Sequence, residues 1–152
     1  MKVLILTYYW PPAGGSGVQR WLKFVKYFRD FGIEPVIYTV KNPNYPIMDK
    51  SLLKDIPEGV EVLREPIWEP NNIRGKNKNT SAGFLSSKPS LMGKVLQYIR
   101  ANYFIPDARK FWIKPSVKFL TKYLNSSDID IVISTGPPHS LHLIANQLKQ
   151  QT

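Results

Sequence analysis

The residues of this 152-residue chain with the clearest capacity for chemistry form a glycine-rich segment near its start. Gly14, Gly15, Ser16 and Gly17 lie between an apolar run that ends near residue 8 and an amphipathic run that begins at residue 18. A glycine-rich loop between a strand and a helix lets a phosphate approach the backbone N–H groups, and the helix dipole favours negative charge there. The pattern therefore predicts an anion-binding loop.

The spacing of these glycines differs from two familiar phosphate-binding motifs. The dinucleotide-binding fingerprint is Gly-x-Gly-x-x-Gly, and the Walker A motif requires a Gly-Lys pair followed by Ser or Thr. The second predicted strand ends at Thr39-Val40 without the acidic residue that would bind the ribose of NAD. The sequence therefore argues against NAD binding and leaves two interpretations, an anion-binding loop or a tight turn without a ligand.

A second candidate segment, Thr135-Gly136-Pro137-Pro138-His139-Ser140, follows the last apolar run of the chain. Its Gly-Pro-Pro turn would hold His139 at the N-terminus of the next helix, where the helix dipole disfavours the protonated imidazole. A neutral His139 could donate one hydrogen bond to a substrate hydroxyl or phosphate. The alternative is a structural histidine, and His142, one turn further on, is predicted to pack or to lie at the surface.

Hydrophobic periodicity predicts the elements that position these two segments. Strands are predicted at 2–8, 34–40, 60–63 and 129–134, helices at 16–31, 91–102, 111–124 and from residue 141 onward, and a helical turn at 52–56. This alternation predicts an α/β fold, a Rossmann-like three-layer sandwich with a mainly parallel sheet, in one domain over residues 1–152. Both segments then lie at the carboxyl edge of the sheet, where ligands bind in such folds.

Local signals complete this prediction. Ser16 is predicted as the N-cap of the first long helix, Gly32 as the residue that follows its C-terminus, and Asp107 as a cap for the segment that follows it. Residues 69–90 lack apolar periodicity and are predicted to form a mobile loop.

Basic residues are concentrated in one part of the chain. The formal net charge is +10, and residues 91–124 contain seven Lys and Arg residues against one Asp. Lys114, Lys118 and Lys122 would form one basic row on a helix, and aromatic residues alternate with them at Tyr103, Phe104, Phe111, Trp112, Phe119 and Tyr123. This pattern fits a core face beside a solvated face, a surface that meets anionic lipid, or, less well, a surface on which single-stranded nucleic acid stacks.

The composition excludes several classes of protein. The chain has no cysteine, which excludes disulfides and cysteine-bound metals, and its two histidines have no carboxylate at a metal-ligand spacing. No Gly-x-Ser-x-Gly or His-Glu-x-x-His motif occurs. The apolar run at the start is too short for a signal sequence or a membrane span, so we expect a soluble protein that binds at most to a membrane surface.

Three segments together resemble the N-terminal domain of GT-B-fold glycosyltransferases, of the large retaining bacterial family usually numbered 4. They are residues 3–12 with the glycines that follow, Pro106-Asp107 with Arg109, Lys110 and Trp112, and residues 130–140. These segments span nearly the whole chain, and the first and third are fairly specific as a pair.

The resemblance implies an enzyme with two Rossmann-like domains that transfers a sugar from a nucleotide-sugar donor to a glycan or lipid-linked acceptor. It gives Gly14, Gly15, Ser16 and Gly17 the role of closing over the donor diphosphate. His139 matches a histidine that touches the sugar at the reaction centre, so it is the candidate catalytic residue. Candidate acceptor- or cleft-lining residues are Tyr9, Trp10, Arg20, Asp107, Arg109, Trp112, Thr135, Gly136 and Ser140.

In such enzymes a C-terminal domain carries the nucleotide pocket, and these 152 residues do not contain it. We therefore expect a truncated acceptor-side domain that is inactive alone. We expect no metal and no cofactor beyond the nucleotide-sugar co-substrate, a cytoplasmic location with a peripheral contact of the basic face with the membrane, and no specific nucleic acid. The alternative is a stand-alone Rossmann-like binding module whose basic face binds a polyanion, either nucleic acid or anionic membrane.

Overall fold

A four-stranded parallel sheet forms the centre of the molecule in the computed structural model, which describes residues 1–43, 45–68, 98 and 102–151. The strands are β1 (Lys2–Leu6), β2 (Glu34–Val40), β3 (Glu61–Glu65) and β4 (Ile131–Ser134), in the spatial order β3-β2-β1-β4. Every neighbouring pair is parallel. The predicted Rossmann-like α/β fold is confirmed, and each predicted strand is present within about two residues of its predicted bounds.

Helices cover both faces of the sheet. The helices whose bounds the structure describes are α1 (Ser16–Phe28), α2 (Ile113–Leu124) and α3 (Ser140–Gln151), with 3₁₀ segments at Arg29–Phe31, Lys50–Asp55 and Lys110–Trp112. The connection from β1 leads to β2, its neighbour on one side. The connection from β3 leads back across the sheet to β4, the neighbour of β1 on the other side. Because such connections are right-handed, α1 lies on one face and α2 on the opposite face, where α3 packs against it.

Apolar sequence and burial coincide in the central strand. Residues 3–6 of β1 are fully buried, as expected for a strand with neighbours on both edges and helices on both faces.

On the α2 face, the ring of Tyr38 in β2 stacks on Trp112 at 5.3 Å, and the Tyr38 hydroxyl donates to Ser116 Oγ at 2.7 Å. Burial raises the pKa of the Tyr38 phenol.

Strand β1 ends two residues before its predicted end. The carbonyl of Tyr8 accepts hydrogen bonds from the side chains of Thr39 and Tyr45, at 3.2 and 2.8 Å, instead of continuing the strand ladder. The chain has therefore already left the sheet at Tyr8 and entered the loop that leads to α1.

The start of α1 differs from its prediction. The N-cap is Gly15, with φ 104° and ψ 168°, and Ser16 is already the first helical residue. The prediction of Ser16 as N-cap is therefore wrong, because the glycine makes the turn into the helix one residue earlier. At the other end Gly32 has φ 69°, so the predicted left-handed residue after the helix is confirmed.

The predicted helix at 91–102 falls almost wholly outside the described residues, and the predicted loop at 69–90 does so entirely. In the described part of the chain, no helix is long and apolar enough to cross a bilayer.

Candidate functional site

The two predicted loops lie side by side at the carboxyl edge of the sheet. Strands β1 and β4 are neighbours with Leu6 opposite Ser134, and the Thr135 N–H extends this pairing to the Leu6 carbonyl at 3.1 Å. The indole N–H of Trp21 on α1 donates to Thr135 Oγ1 at 2.9 Å. The predicted adjacency of the two segments is therefore confirmed.

The first loop is joined to the segment 47–49 by backbone hydrogen bonds. The Gly14 N–H donates to the Ile47 carbonyl at 3.0 Å, and the Asp49 N–H donates to the Pro12 carbonyl at 2.8 Å. A Cβ on Gly14 would lie 2.8 Å from the Ile47 side chain, so only glycine fits this approach without movement. Because Gly14 has already used its N–H, its predicted contact with a phosphate is not available in this conformation.

The N-terminus of α1 is the open part of the first loop. Gly15, Ser16 and Gly17 are exposed, and the first helical hydrogen bond runs from the Gln19 N–H to the Gly15 carbonyl at 3.3 Å. Within the described residues no side chain caps this terminus, and the first turn contains no acidic residue. The N–H groups at the start of a helix carry partial positive charge, so this terminus can accept an anion.

The N-terminus of α3, by contrast, is filled by a carboxylate of the chain itself. One oxygen of Asp107 accepts the Ser140 N–H at 2.8 Å, and the other accepts the Ser140 hydroxyl at 2.7 Å. The second oxygen also accepts the Arg109 N–H at 2.8 Å, which is the predicted cap of the segment that follows Asp107. The capping of α3 was not predicted, because Asp107 and Ser140 are 33 residues apart in the sequence.

The segment that begins with Asp107 also reaches the first loop. The Arg109 guanidinium lies over the Tyr8 ring, 4.6 Å from its centroid, and the Trp112 ring meets Tyr8 edge to face at 6.2 Å. The three segments that carry the family resemblance therefore meet at one edge of the sheet.

Aromatic residues form a buried floor beneath this edge. Trp10 and Trp112, which the resemblance predicts as cleft-lining, are completely buried and present no ring surface to solvent. Tyr45 is also buried, and its burial raises the pKa of its phenol. The indole N–H groups of Trp10 and Trp112 have no hydrogen-bond partner among the described residues. Buried donors of this kind are normally satisfied by water or by a ligand.

The second loop presents His139 to solvent beside His142. His139 is exposed at the start of α3, and the two imidazole ring centroids are 6.0 Å apart. His142 Nδ1 lies 2.9 Å from Ser134 Oγ, at hydrogen-bond distance. A Cβ on Gly136 would lie 2.8 Å from His142 Nε2, so the glycine leaves the space that His142 occupies. His142 and Ser134 were not predicted for the site, although the three-residue spacing from His139 places both rings on one helix face.

The remaining predicted residues differ in their distance from this edge. Tyr9 is half-buried and its ring lies 4.9 Å from that of Tyr8, within the aromatic floor. Ser140 is fully buried and contacts Asp107, so its role is to anchor the loop. Arg20 is exposed, in the second turn of α1.

A surface depression lies at the opposite, amino end of the sheet, and most of its charged groups are already paired. It is lined by Met1, Arg29, Glu34 and Asp130 among others. Arg29 and Glu34 form an ion pair at 2.6 Å, and Asp130 accepts the backbone N–H of Lys2 at 2.7 Å. Asp128 also lines the depression, and its side chain makes no hydrogen bond in the described part of the chain, but a single exposed carboxylate does not make a binding site.

The described residues contain no group of three or more His, Asp or Glu side chains placed to hold a metal ion. The fold and the carboxyl-edge site define a Rossmann-like α/β domain with an open helix terminus at Gly15–Gly17. The chain matches no protein-family model, and no curated protein or solved structure shows significant similarity to it.

Proposed function

We propose that this chain is the acceptor-side domain of a glycosyltransferase of the GT-B type, and that the N-terminus of α1 binds the diphosphate of a nucleotide-sugar. One observation carries the proposal. The helices that run back along the sheet all begin at this edge. Asp107 caps both α3 and the 3₁₀ segment that leads into α2, whereas the exposed N-terminus of α1 has no capping side chain among the described residues. Of the helix termini that the structure describes at this edge, the one at Gly15–Gly17 is exposed and open to an anion.

The chemistry follows from the charge of the leaving group. When a glycosidic bond to a diphosphate breaks, negative charge increases on the departing phosphate oxygens. Fixed N–H groups at the N-terminus of α1 would stabilise that charge more strongly in the transition state than in the bound donor. His139, across the edge at the start of α3, would orient or polarise the sugar or its acceptor through one imidazole N–H.

A titration of the ¹⁵N-labelled chain with a nucleoside diphosphate tests the phosphate contact. A single helix terminus binds anions weakly, so we expect a dissociation constant on the order of 1 mM, about 4 kcal/mol. The amide signals of Gly15, Ser16 and Gly17 should shift, whereas that of Gly14 should move little because its N–H is bonded to Ile47. The matching nucleoside without phosphate is the control ligand.

A pair of variants at one position separates anion binding from folding. Ser16→Asp places a carboxylate in the first turn of α1, which favours the helix but competes with a bound anion. Ser16→Asn keeps the size without the charge. We expect Ser16→Asp to bind at least about tenfold more weakly, a change of about 1.4 kcal/mol, and Ser16→Asn to bind normally. Equal binding by both variants, or equal shifts with the phosphate-free nucleoside, would contradict the diphosphate site.

Sugar transfer requires a second test, because the resemblance places the nucleotide pocket in another domain. The reading frame beyond Thr152 should encode a second α/β domain with paired glutamates, and a stop codon there would favour a binding module. In a two-domain enzyme that contains this chain, His139→Ala and Gly15→Asp should each reduce turnover strongly. Near-normal turnover in both variants would remove these residues from the site.

A further inference from the structure

Large apolar side chains are exposed together where the chain leaves β3 and where it approaches α2. Tyr103 and Ile105 are 66% and 69% exposed, and Trp68 and Phe111 are 53% and 46% exposed. The rings of Trp68 and Phe111 meet edge to face at 4.9 Å, and Phe104 packs against Phe111 at 6.1 Å. We call Trp68, Tyr103, Phe104, Ile105 and Phe111 together the aromatic patch. Single exposed apolar residues are common, but a contiguous group indicates a binding surface.

A row of lysines continues from this patch along α2. The ammonium of Lys110 lies 5.2 and 5.3 Å from the ring centroids of Phe104 and Phe111. It also donates a hydrogen bond to the Tyr103 carbonyl. The lysine row consists of Lys110 and the exposed Lys114, Lys118 and Lys122, which follow it at four-residue intervals. The aromatic patch therefore has positive charge both at its centre and beside it.

We propose that the aromatic patch and the lysine row together bind the surface of an anionic lipid bilayer. Trp, Tyr and Phe rings are favoured at the depth of the lipid headgroups, where one side of the ring is apolar and the other is wet. Lysines beside them pair with the headgroup phosphates, and each contributes to attraction toward an anionic leaflet. Ile105, the most exposed member, would insert furthest toward the acyl chains.

The ring contacts favour lipid over single-stranded nucleic acid. Nucleic-acid bases stack on free ring faces. Lys110 already lies over the rings of Phe104 and Phe111, and Trp68 contributes an edge contact to Phe111. Ile105 has no ring on which a base could stack. The sequence pattern already favoured lipid over nucleic acid, but it did not separate the inward-facing Trp112 from the exposed Phe111.

This inference does not rest on the proposed sugar transfer, since it uses none of the residues of the carboxyl-edge loops. Membrane binding and diphosphate binding can therefore succeed or fail independently of each other.

Co-sedimentation of the chain with lipid vesicles tests the proposal. The vesicles are pure phosphatidylcholine, or phosphatidylcholine mixed with anionic phosphatidylglycerol, at low and high salt. We expect binding to the anionic vesicles alone, with loss at high salt. The triple variant Lys114→Gln, Lys118→Gln, Lys122→Gln should weaken binding about a hundredfold, and its control, which removes three charges elsewhere, is Lys26→Gln, Lys50→Gln, Lys54→Gln.

A second pair of variants tests the apolar part of the contact. Tyr103→Ser with Ile105→Ser should weaken vesicle binding about tenfold, whereas Tyr27→Ser with Phe31→Ser should not change it, although Phe31 is 78% exposed. Circular dichroism confirms that each variant is folded. Failure of the chain to bind anionic vesicles, or equal losses in test and control variants, would overturn the proposal. It would also be overturned if single-stranded DNA bound more tightly than vesicles, or if the Tyr103→Ser, Ile105→Ser variant abolished self-association of the chain instead.

Discussion

Replacement of Asp107 by alanine should loosen the connection between the segment before α2 and the start of α3. The carboxylate accepts three hydrogen bonds of 2.7–2.8 Å, two from Ser140 and one from the Arg109 N–H. In Asp107→Ala the buried Ser140 hydroxyl and the first N–H of α3 both lose their acceptor. The cost is therefore that of a lost helix cap together with an unsatisfied buried donor.

The magnitude follows from these contacts. Loss of a helix cap costs about 1 kcal/mol, and a buried donor without a partner costs about 1–3 kcal/mol. Because Asp107 is half-buried, water can replace part of its contact with Arg109, and we expect a total of about 2–4 kcal/mol. Asp107→Asn keeps one acceptor oxygen and should lose about half as much. A domain of ordinary stability, about 5–15 kcal/mol, would remain folded in both variants.

Urea denaturation followed by far-UV circular dichroism measures this cost. The matched control is Asp128→Ala, which removes an exposed carboxylate whose side chain makes no hydrogen bond within the described part of the chain. A free energy of unfolding for Asp107→Ala within about 0.5 kcal/mol of the parent chain would refute the proposed stabilising role of the Asp107 hydrogen bonds. An equal loss in Asp128→Ala would assign the effect to net charge instead.

Three further perturbations test other parts of the structure. Gly15→Ala should destabilise the chain by about 1–3 kcal/mol, because φ is 104° at this position. Gly17→Ala, within α1, should be neutral or should stabilise the chain by up to about 1 kcal/mol. Chemical denaturation of the two variants compares their free energies of unfolding. Burial raises the pKa of the Tyr38 phenol, so above pH about 10 this group is protonated in the folded chain and ionised in the unfolded chain. Its contribution should therefore lower the free energy of unfolding by up to about 1.4 kcal/mol for each further pH unit. Tyr38→Phe should reduce that alkaline slope in denaturation curves recorded across this pH range, and an unchanged slope would contradict the assignment. Trp21→Phe should cost about 0.5–1.5 kcal/mol through loss of its hydrogen bond to Thr135, and a double-mutant cycle with Thr135→Val should show non-additive losses.

The fold was predictable because its strands are short apolar runs separated by polar or Gly- and Pro-rich segments. The run at residues 3–6 is short, apolar and followed by a Pro- and Gly-rich loop, which favours a buried strand over a helix. The helical spacing of Val18, Leu22 and Val25 defined the buried face of α1. The parallel order then placed both loops at one edge. These features depend on neighbours within a few residues in sequence, which is the range over which periodicity carries information.

The site was less predictable because its contacts join residues that are distant in sequence. The capping of α3 by Asp107 spans 33 residues, and no local pattern marks its two ends. The bond from Gly14 to Ile47 uses backbone groups, so side-chain identity gives little indication of it. The full burial of Trp10 and Trp112 likewise depends on tertiary packing, which a motif does not specify.

The attachment of the first loop to residues 47–49 restricts how this region can diverge. The bonds at Gly14 and Asp49 join main-chain atoms, so they persist when the side chains of residues 47 and 48 change. An insertion or deletion in either segment of this contact, 12–14 or 47–49, would shift the hydrogen-bonded atoms out of alignment and move the N-terminus of α1. Homologous chains should therefore vary freely in composition at residues 47 and 48 and keep a constant length there, so that an alignment would show its gaps elsewhere.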